Sequence, residues 1–151
     1  MQTHEEIALR RSRMSVLARA RTSRLQELWA ALDLAPSYQA LRGPECGLIT
    51  LQGRIGGGGE AFNFGEATVT RASVRLEDGS VGHAVALGRD MDKARIAALV
   101  DAVCRKPEMA TLVDARMIAP LQQELDEADE TLRQLTAATR VDFFTMVRGE
   151  D

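Results

Sequence analysis

Residues 54–60 read RIGGGGE, and this run of four glycines has the composition of a loop that could approach a phosphate. Glycine permits such an approach because it carries no Cβ. A P-loop, however, ends in Gly-Lys-Ser/Thr, whereas Glu60 and Ala61 follow the glycines here. A Rossmann fingerprint needs its third glycine at the start of a helix, and the residues after Glu60 favour a strand. Neither nucleotide-binding motif is therefore present, and a connection between two strands fits better.

Two interpretations of this connection remain open. In the first, the loop completes a site that is made largely by another subunit. In the second, which the residues alone favour, the loop is the tip of a hairpin. The candidate residues are the same in both cases: Arg54, Gly56, Gly57, Gly58, Gly59 and Glu60.

Other residues with chemical potential are sparse. Cys46, Cys104, His4 and His83 are the only cysteines and histidines, and they do not form a zinc ligand set within one chain. The sequence contains no GxSxG, HExxH or CxxC motif. We therefore expect no metal site, no catalytic nucleophile beside a base, and no cofactor bound by this chain alone.

Length and composition predict a single domain over residues 1–151, with 45% apolar and 27% charged residues. The net charge of −3 disfavours nucleic acid as the main partner. No apolar run approaches the roughly 20 residues of a membrane helix, and the first residues lack the apolar region of a secretory signal. Since the two cysteines also fit a reducing compartment, we expect a cytoplasmic protein that binds neither membrane nor nucleic acid.

The periodicity predicts an α+β fold with N-terminal helices, a central antiparallel β-sheet, C-terminal helices and an apolar extended tail. Apolar residues recur at helical steps up to about Leu34, and two helices, or one kinked helix, are expected to meet near Arg21. Thr22 or Ser23 is the expected N-cap of the second. The arginines of this segment are expected on a solvated face that pairs with nearby acids, namely Arg10, Arg11, Arg13, Arg19, Arg21 and Arg24 with Glu5, Glu6 and Glu27.

Strands are predicted between residues 37 and 87, with a two-residue turn at Asp78-Gly79. That turn would pair Leu76 with Val81, Val74 with His83, and Ala72 with Val85, which makes one apolar face with a partly buried structural His83. The opposite face would carry Arg71 and Arg75 across from Gly82, Ala84 and Ala86. These arginines are a candidate site for an anion or, preferably, for an acidic helix of the same chain.

The C-terminal part is predicted to be helical over residues 90–106, with Pro107 after the helix end. A segment at residues 109–118 then leads to a longer helix that starts at Pro120. The apolar residues of this helix form a two-heptad seam that must pack on this domain or on another chain: Leu121, Leu125, Ala128, Leu132 and Leu135.

The chain ends in RVDFFTMVRGED, residues 140–151, which holds half of its phenylalanines. Chain ends usually fray, so an apolar end indicates a contact. We expect an extended segment with both faces covered, in which Phe144 and Met146 contact a partner. Phe143 docks on the domain or on that partner, and Arg148 pairs with an acidic group of the partner.

Three stretches together resemble one family: residues 14–20 (MSVLARA), 47–90 (GLITLQGRIGGGGEAFNFGEATVTRASVRLEDGSVGHAVALGRD) and 140–151. They are similar to the G subunit of the bacterial carbon–phosphorus lyase core complex, the PhnG family. The resemblance covers nearly the whole chain, and the glycine-rich block and the DFFTMVRG tail are its specific parts.

This resemblance implies a role in the use of organic phosphonates as a phosphorus source. The family's complex joins a methylphosphonate-type substrate to the ribose of ATP and displaces adenine, which gives α-D-ribose 1-methylphosphonate 5-triphosphate. ATP would thus be a substrate of the complex. The implied partners are the H, I and J type subunits and the L-type pathway protein.

No catalytic residue carries over from the family to this sequence, and three roles remain open. The chain is either a structural companion of a catalytic subunit or a subunit that lends Arg54 or Glu60 to a shared site. Outside the family, it would be a free-standing anion-binding module that uses Arg71 and Arg75. Whether the isolated chain forms a homo-oligomer is left open by the sequence.

Overall fold

The computed structural model describes residues 3–139 and confirms the predicted order of helices, antiparallel sheet and helices. The tail residues Phe143, Phe144, Met146 and Arg148 lie outside the described residues. The elements are α1 (His4–Arg19), α2 (Thr22–Ala31), β1 (Tyr38–Arg54), a 3-10 turn (Ile55–Gly57), β2 (Ala61–Leu76), β3 (Val81–Leu87), α3 (Met91–Val103), α4 (Pro107–Val113), a π turn (Asp114–Ile118) and α5 (Ala119–Ala138).

The N-terminal helices break where the sequence predicts, but their caps differ. Thr3 and Glu6 form a capping box at the start of α1, with the Glu6 N–H donating to the Thr3 hydroxyl at 3.2 Å. The break falls at Ala20 and Arg21, which are both extended. The expected cap at Thr22 or Ser23 is wrong, because Thr22 is already helical and its hydroxyl bonds the Asp90 carboxylate on another element.

The sheet has the strand order β1-β2-β3, and β3 covers only part of β2. The β2–β3 pairing runs from Arg75 with Val81 to Val69 with Leu87, and the Gly88 N–H closes it on the Thr68 carbonyl at 2.9 Å. From Thr68 back to its start at Ala61, β2 pairs with β1 alone. Residues 48–54 and 61–68 therefore form a two-stranded extension, here called the arm.

The register of the β2–β3 hairpin differs from the predicted one by one residue. Val74 pairs with Gly82 and Ser73 pairs with His83, so the predicted pairs Leu76–Val81, Val74–His83 and Ala72–Val85 are wrong. Leu76 closes a three-residue loop with Ser80, and Gly79 takes the left-handed conformation at its end, with φ +86°. A slip of one residue moves every side chain of β3 to the other face.

The hydrophobic core lies between the helices and one face of the sheet, here called the inner face. Ala72, Val74 and Ala84 cover this face of the strands and are each at most 4% exposed. α3 approaches it so closely that a Cβ on Gly82 would lie 2.0 Å from the Ala98 carbonyl oxygen. The small residues of both elements allow this distance, and the larger core side chains fill the space around it, among them Leu17, Leu25, Val100, Met117 and Leu121.

The C-terminal helices are more continuous than predicted. Residues 109–118, expected as a connection, belong to α4 and the π turn. α5 begins at Ala119, next to the predicted start at Pro120. Proline lacks the N–H that would bond the carbonyl four residues earlier, and the wider π turn occupies that stretch.

The predicted seam of α5 divides into two halves. Leu121 is buried in the core and Leu125 packs at its border, whereas Leu132 and Leu135 are each 63% exposed. The first half thus packs on this domain. Within residues 3–139, no helix combines the length and the apolar character that crossing a bilayer requires.

Candidate functional site

The glycine loop forms the tip of the arm, as the hairpin interpretation predicts. Arg54 pairs with Ala61 at the last rung of the ladder. Gly56 has φ +66°, which favours glycine, and a Cβ on Gly59 would lie 2.9 Å from the Ile55 carbonyl oxygen. The turn itself therefore accounts for two of the glycines. A contribution of Arg54 or Glu60 to a site in another subunit stays a prediction.

The arm has a polar face and an apolar face. The polar face continues the inner face beyond the helices and carries Thr50 across from Glu66, and Gln52 hydrogen-bonded to Asn63 at 3.0 Å. Among the residues that the structure describes, the one large apolar side chain on this face is Leu48 at the base of the arm, which is 62% exposed. The opposite face of the sheet, here called the outer face, carries apolar side chains along the arm. These are Ile49, Leu51, Phe62 and Phe64.

The two phenylalanines are held in place by the strands beneath them. Phe64 is the extra residue of a bulge, since Leu51 pairs with Gly65 and Gln52 pairs with Asn63. Its ring lies over Gly53, where a Cβ would stand only 3.0 Å away, and the Phe62 ring centre is 6.1 Å from it. Gly53 thus provides the space that the aromatic pair occupies.

Apolar exposure continues from the arm onto β3. Val85 and Leu87 lie on the outer face, opposite Arg71 and Val69, and are 57% and 70% exposed. No described helix covers this face, because α3 packs on the inner one. The name outer strip is used below for these two residues together with the four on the arm: Ile49, Leu51, Phe62, Phe64, Val85 and Leu87.

The predicted arginine face lies on the same side of the sheet, but its surroundings differ from the prediction. The Arg71 guanidinium lies over Gly47 and donates to Glu45 at 3.0 Å, and Arg42 donates to the same carboxylate at 2.6 Å. Arg42 holds the pKa of Glu45 below its ordinary value. The expected acidic helix is therefore wrong, since the carboxylate comes from β1. Because Glu45 already engages Arg71, a free anion site at this position is disfavoured.

The register also changes the neighbours of these arginines. Val81, His83 and Val85 share their face, where Gly82, Ala84 and Ala86 were expected. His83 is exposed, not part of the apolar face, and its Nδ1 lies 2.8 Å from the Ser73 hydroxyl. In the part of the chain that the structure describes, no hydrogen bond reaches its other ring nitrogen, so this pair lacks the orienting group of a catalytic triad. The Ser73–His83 pair could be predicted from the sequence only with the correct register.

The glycine loop and the arginine face do not form one site. Ala61 and Arg71 are on the same strand, ten residue steps apart, which corresponds to roughly 33 Å of extended chain. Any ligand held at the tip would therefore need its other contacts from another molecule.

The arginines of α1 pair across the helical layer and not with nearby acids as expected. Arg10 forms a two-point ion pair with Asp101, at 2.7 and 2.8 Å, and Arg13 forms one with Asp114, at 2.7 Å for both contacts. Asp101 is 2% exposed and also accepts the His83 backbone N–H at 2.9 Å. These pairs join α1 to α3 and to the π turn. Two more arginines reach α5 in the same way, Arg19 to Asp129 and Arg24 to Glu124. Arg24 also pairs with Glu27 at 3.0 Å, which confirms one of the predicted nearby pairs.

A cleft of about 420 Å³ lies beside these pairs, between α1, α3 and α4. Its three arginines are balanced by Asp101, Asp114 and Glu6, so it carries little net charge. Cys104 lines it, and burial raises the pKa of this thiol to about 12. A thiol that stays protonated is a poor nucleophile. Among residues 3–139, no group of three or more His, Cys, Asp or Glu residues is placed to hold a metal ion.

Two comparisons of the sequence with known proteins identify the family. Residues 8–149 match the family model of the phosphonate metabolism protein PhnG. A curated relative from Rhizobium meliloti (strain 1021) is 49% identical over 145 residues, which is 96% of this chain and 92% of the relative. That relative is named α-D-ribose 1-methylphosphonate 5-triphosphate synthase subunit PhnG. A match of this extent, which includes the glycine loop, the arm and the helical layer, shows that the chain belongs to the PhnG family of phosphonate metabolism proteins.

Proposed function

We propose that this chain is a subunit of an α-D-ribose 1-methylphosphonate 5-triphosphate synthase, the activity named for its Rhizobium relative. In this role it supports the formation of that product from ATP and methylphosphonate, with release of adenine. The partners proposed are the H, I and J type subunits and the L-type pathway protein, and the compartment is the cytoplasm. The near-complete coverage of both chains supports the proposal.

The outer strip is the observation that carries the subunit role. A soluble antiparallel sheet usually places polar residues on its solvent face, whereas here Phe64 and Leu87 are 59% and 70% exposed on it. A two-stranded extension is also only marginally stable alone in water. A chain built in this way gains its full burial when another subunit covers the sheet.

A companion role suits the chemistry of the described residues. Ser73 and His83 lie on an open surface without an orienting group, and Cys104 is held as a neutral thiol. The tip of the arm lies eight residue steps along β2 from the last β2–β3 pair, which corresponds to roughly 26 Å of extended chain. Arg54 and Glu60 at that tip are the residues proposed to enter a partner's site, where Arg54 would face triphosphate or phosphonate oxygens.

Adenine release by the reconstituted complex separates a structural companion from a subunit that lends side chains. Complexes that carry Arg54→Ala and Glu60→Gln in this chain should assemble fully, as measured by native mass spectrometry. If the tip acts in the site, their rate of adenine release falls at least about tenfold, and Glu66→Gln on the same arm leaves it unchanged. An unchanged rate with full assembly assigns the chain a structural role only.

The isolated chain provides the control for the whole proposal. It should neither consume ATP nor release adenine, since no nucleophile–base–orienter set is present among residues 3–139. Adenine release by the purified chain, abolished by a point substitution in it, would contradict a companion role. Failure of the wild-type chain to join or activate the other subunits would contradict the proposed function itself.

A further inference from the structure

The size and shape of the outer strip identify it as an interface and not as scattered surface apolar residues. Its six members run continuously from β3 to the end of the arm and leave roughly 500 Å² of apolar surface exposed, at a typical 150–200 Å² per large side chain. This equals the largest apolar patch of a typical monomer, which often has a function. A stable interface buries about 800 Å² on each partner, so polar residues must supply the remainder.

The polar residues that complete the interface area lie at the border of the strip, and they are charged. Arg71 lies across from Val85, Arg75 lies across from Val81, and Arg42 lies across from Ser73 on the other side of β2. Glu45 is the carboxylate that the described strands place among them. Glu45 is already shared by Arg42 and Arg71. Arg75 has no ion pair within the described residues. The border therefore carries net positive charge, which is complementary to carboxylates on the surface that covers it.

We infer that the outer strip docks on an apolar surface of another synthase subunit, and that carboxylates bordering that surface pair with Arg71 and Arg75. This inference rests on the proposed function, and it adds the surface of contact and the chemistry of the partner. The inner face of the same sheet is covered by α3, so the partner completes a second layer on the open side.

A second copy of this chain does not satisfy the arginine border. On the outer face, a copy offers the Glu45 carboxylate, which its own arginines hold. The densest group of acidic residues in the described part of a copy lies along α5, on the helical side of the domain, and includes Asp126 and Glu130. Contact between that helix and the outer strip would be head-to-tail, which leads to open chains of subunits unless the rotation closes a ring.

Charge placed on the strip tests the inference. Leu87→Glu introduces a carboxylate at a 70% exposed position, so the isolated chain should keep its Tm. Affinity for the co-expressed subunits should fall at least about 30-fold, the loss typical of a central interface residue. Leu132→Glu is the matched control, because Leu132 is 63% exposed on α5 and should assemble like the wild type. Arg75→Glu should also weaken assembly, and addition of salt should weaken the wild-type complex.

Titration of the variant chains against the other subunits, with the mass of each isolated chain measured in parallel, gives distinct outcomes. Wild-type affinity of Leu87→Glu would overturn the inference, and loss with Leu132→Glu alone would move the interface to α5. A dimer of the isolated wild-type chain that Leu87→Glu dissociates would assign the strip to a second copy, which also overturns it. If the wild-type chain itself fails to assemble, the proposed function fails, and not only this surface.

Discussion

The two halves of β2 place similar side chains in opposite environments. The helix-backed half consists of β3, the part of β2 that pairs with β3, and the helices. In this half, Val74 and Ala72 are each 2% exposed. In the arm, Phe62 and Phe64 of the same strand are largely in solvent. The face of the sheet makes this difference, because Val74 and Ala72 lie on the inner face that α3 covers, whereas Phe62 and Phe64 lie on the outer face. No described helix covers the outer face, so the second layer over these phenylalanines lies outside the described part of the chain.

The comparison is sharpest at two glycines, where the largest effect is expected. Gly82→Ala should destabilise the chain by about 3 kcal/mol or more, because its Cβ would meet backbone atoms of α3 at 2.0 and 2.4 Å. Gly65→Ala in the arm has no neighbour within 4 Å and should change the free energy of unfolding by about 1 kcal/mol or less. Urea denaturation measures both. Equal losses of unfolding free energy in the two variants would contradict the close packing of α3 against Gly82.

The second-largest difference is expected between the stability contributions of one ion pair in each region. Arg10→Met leaves the buried Asp101 carboxylate without its two-point partner, and we expect a loss of about 2–3 kcal/mol, reduced from a fully buried pair because Arg10 is one-third exposed. Arg42→Met removes a pair on the open sheet and should have no measurable effect on unfolding, since exposed pairs contribute little. A larger loss for Arg42→Met would reverse the ranking of the two regions.

The reactivities of the two cysteines allow the regions to be compared in the wild-type chain. Burial raises the pKa of Cys104 to about 12, whereas Cys46 is exposed on β1, where the arm begins. In native protein at pH 8, a thiol reagent should modify Cys46 about 100-fold faster than Cys104, because the thiolate is the reacting form. Peptide mapping identifies the modified residue, and unfolding in urea should equalise the rates. Fast reaction of Cys104 in the folded chain would contradict its burial.

The smallest expected effect on stability compares two carboxylates at hairpin ends, Asp78 in the β2–β3 loop and Glu60 at the tip of the arm. Lys106 and then the Ser80 N–H lower the pKa of Asp78 to about 2, below its ordinary 3.8. Its contribution to stability is therefore complete above about pH 4 and is lost as the pH falls towards 2. The difference in Tm between the wild type and Asp78→Asn should shrink over that range. Glu60→Gln at the arm tip should follow the wild type, and a pH-independent difference for Asp78→Asn would exclude this linkage.

Local signals in the sequence were sufficient for the element order and for the break near Arg21, because periodicity and turn residues act over a few positions. They were insufficient for the hairpin register. Asp78-Gly79 fits a two-residue turn and a three-residue loop equally well, and the close contact of Gly82 with α3 distinguishes them only in the folded chain. That single residue of register decided on which face His83 lies.

The candidate site was predictable in part for the same reason. The glycine loop was identified as a hairpin tip from its own residues. The partners of Arg10, Arg13 and Arg71 lie on elements distant in sequence, and charge patterns along one helix do not reveal them. The outer strip also escaped sequence reading, since its members come from three strands and share a face only after the register is known.

The open outer face has a consequence for the life of the chain in the cell. Exposed apolar side chains and unpaired strand edges are what chaperones and proteases bind in incompletely assembled proteins. A copy made in excess of its partner would display the strip until it is degraded, while an assembled copy would hide it. Surplus copies would then disappear by turnover alone, and the ratio of this subunit to its partner would be corrected after translation without a dedicated regulator.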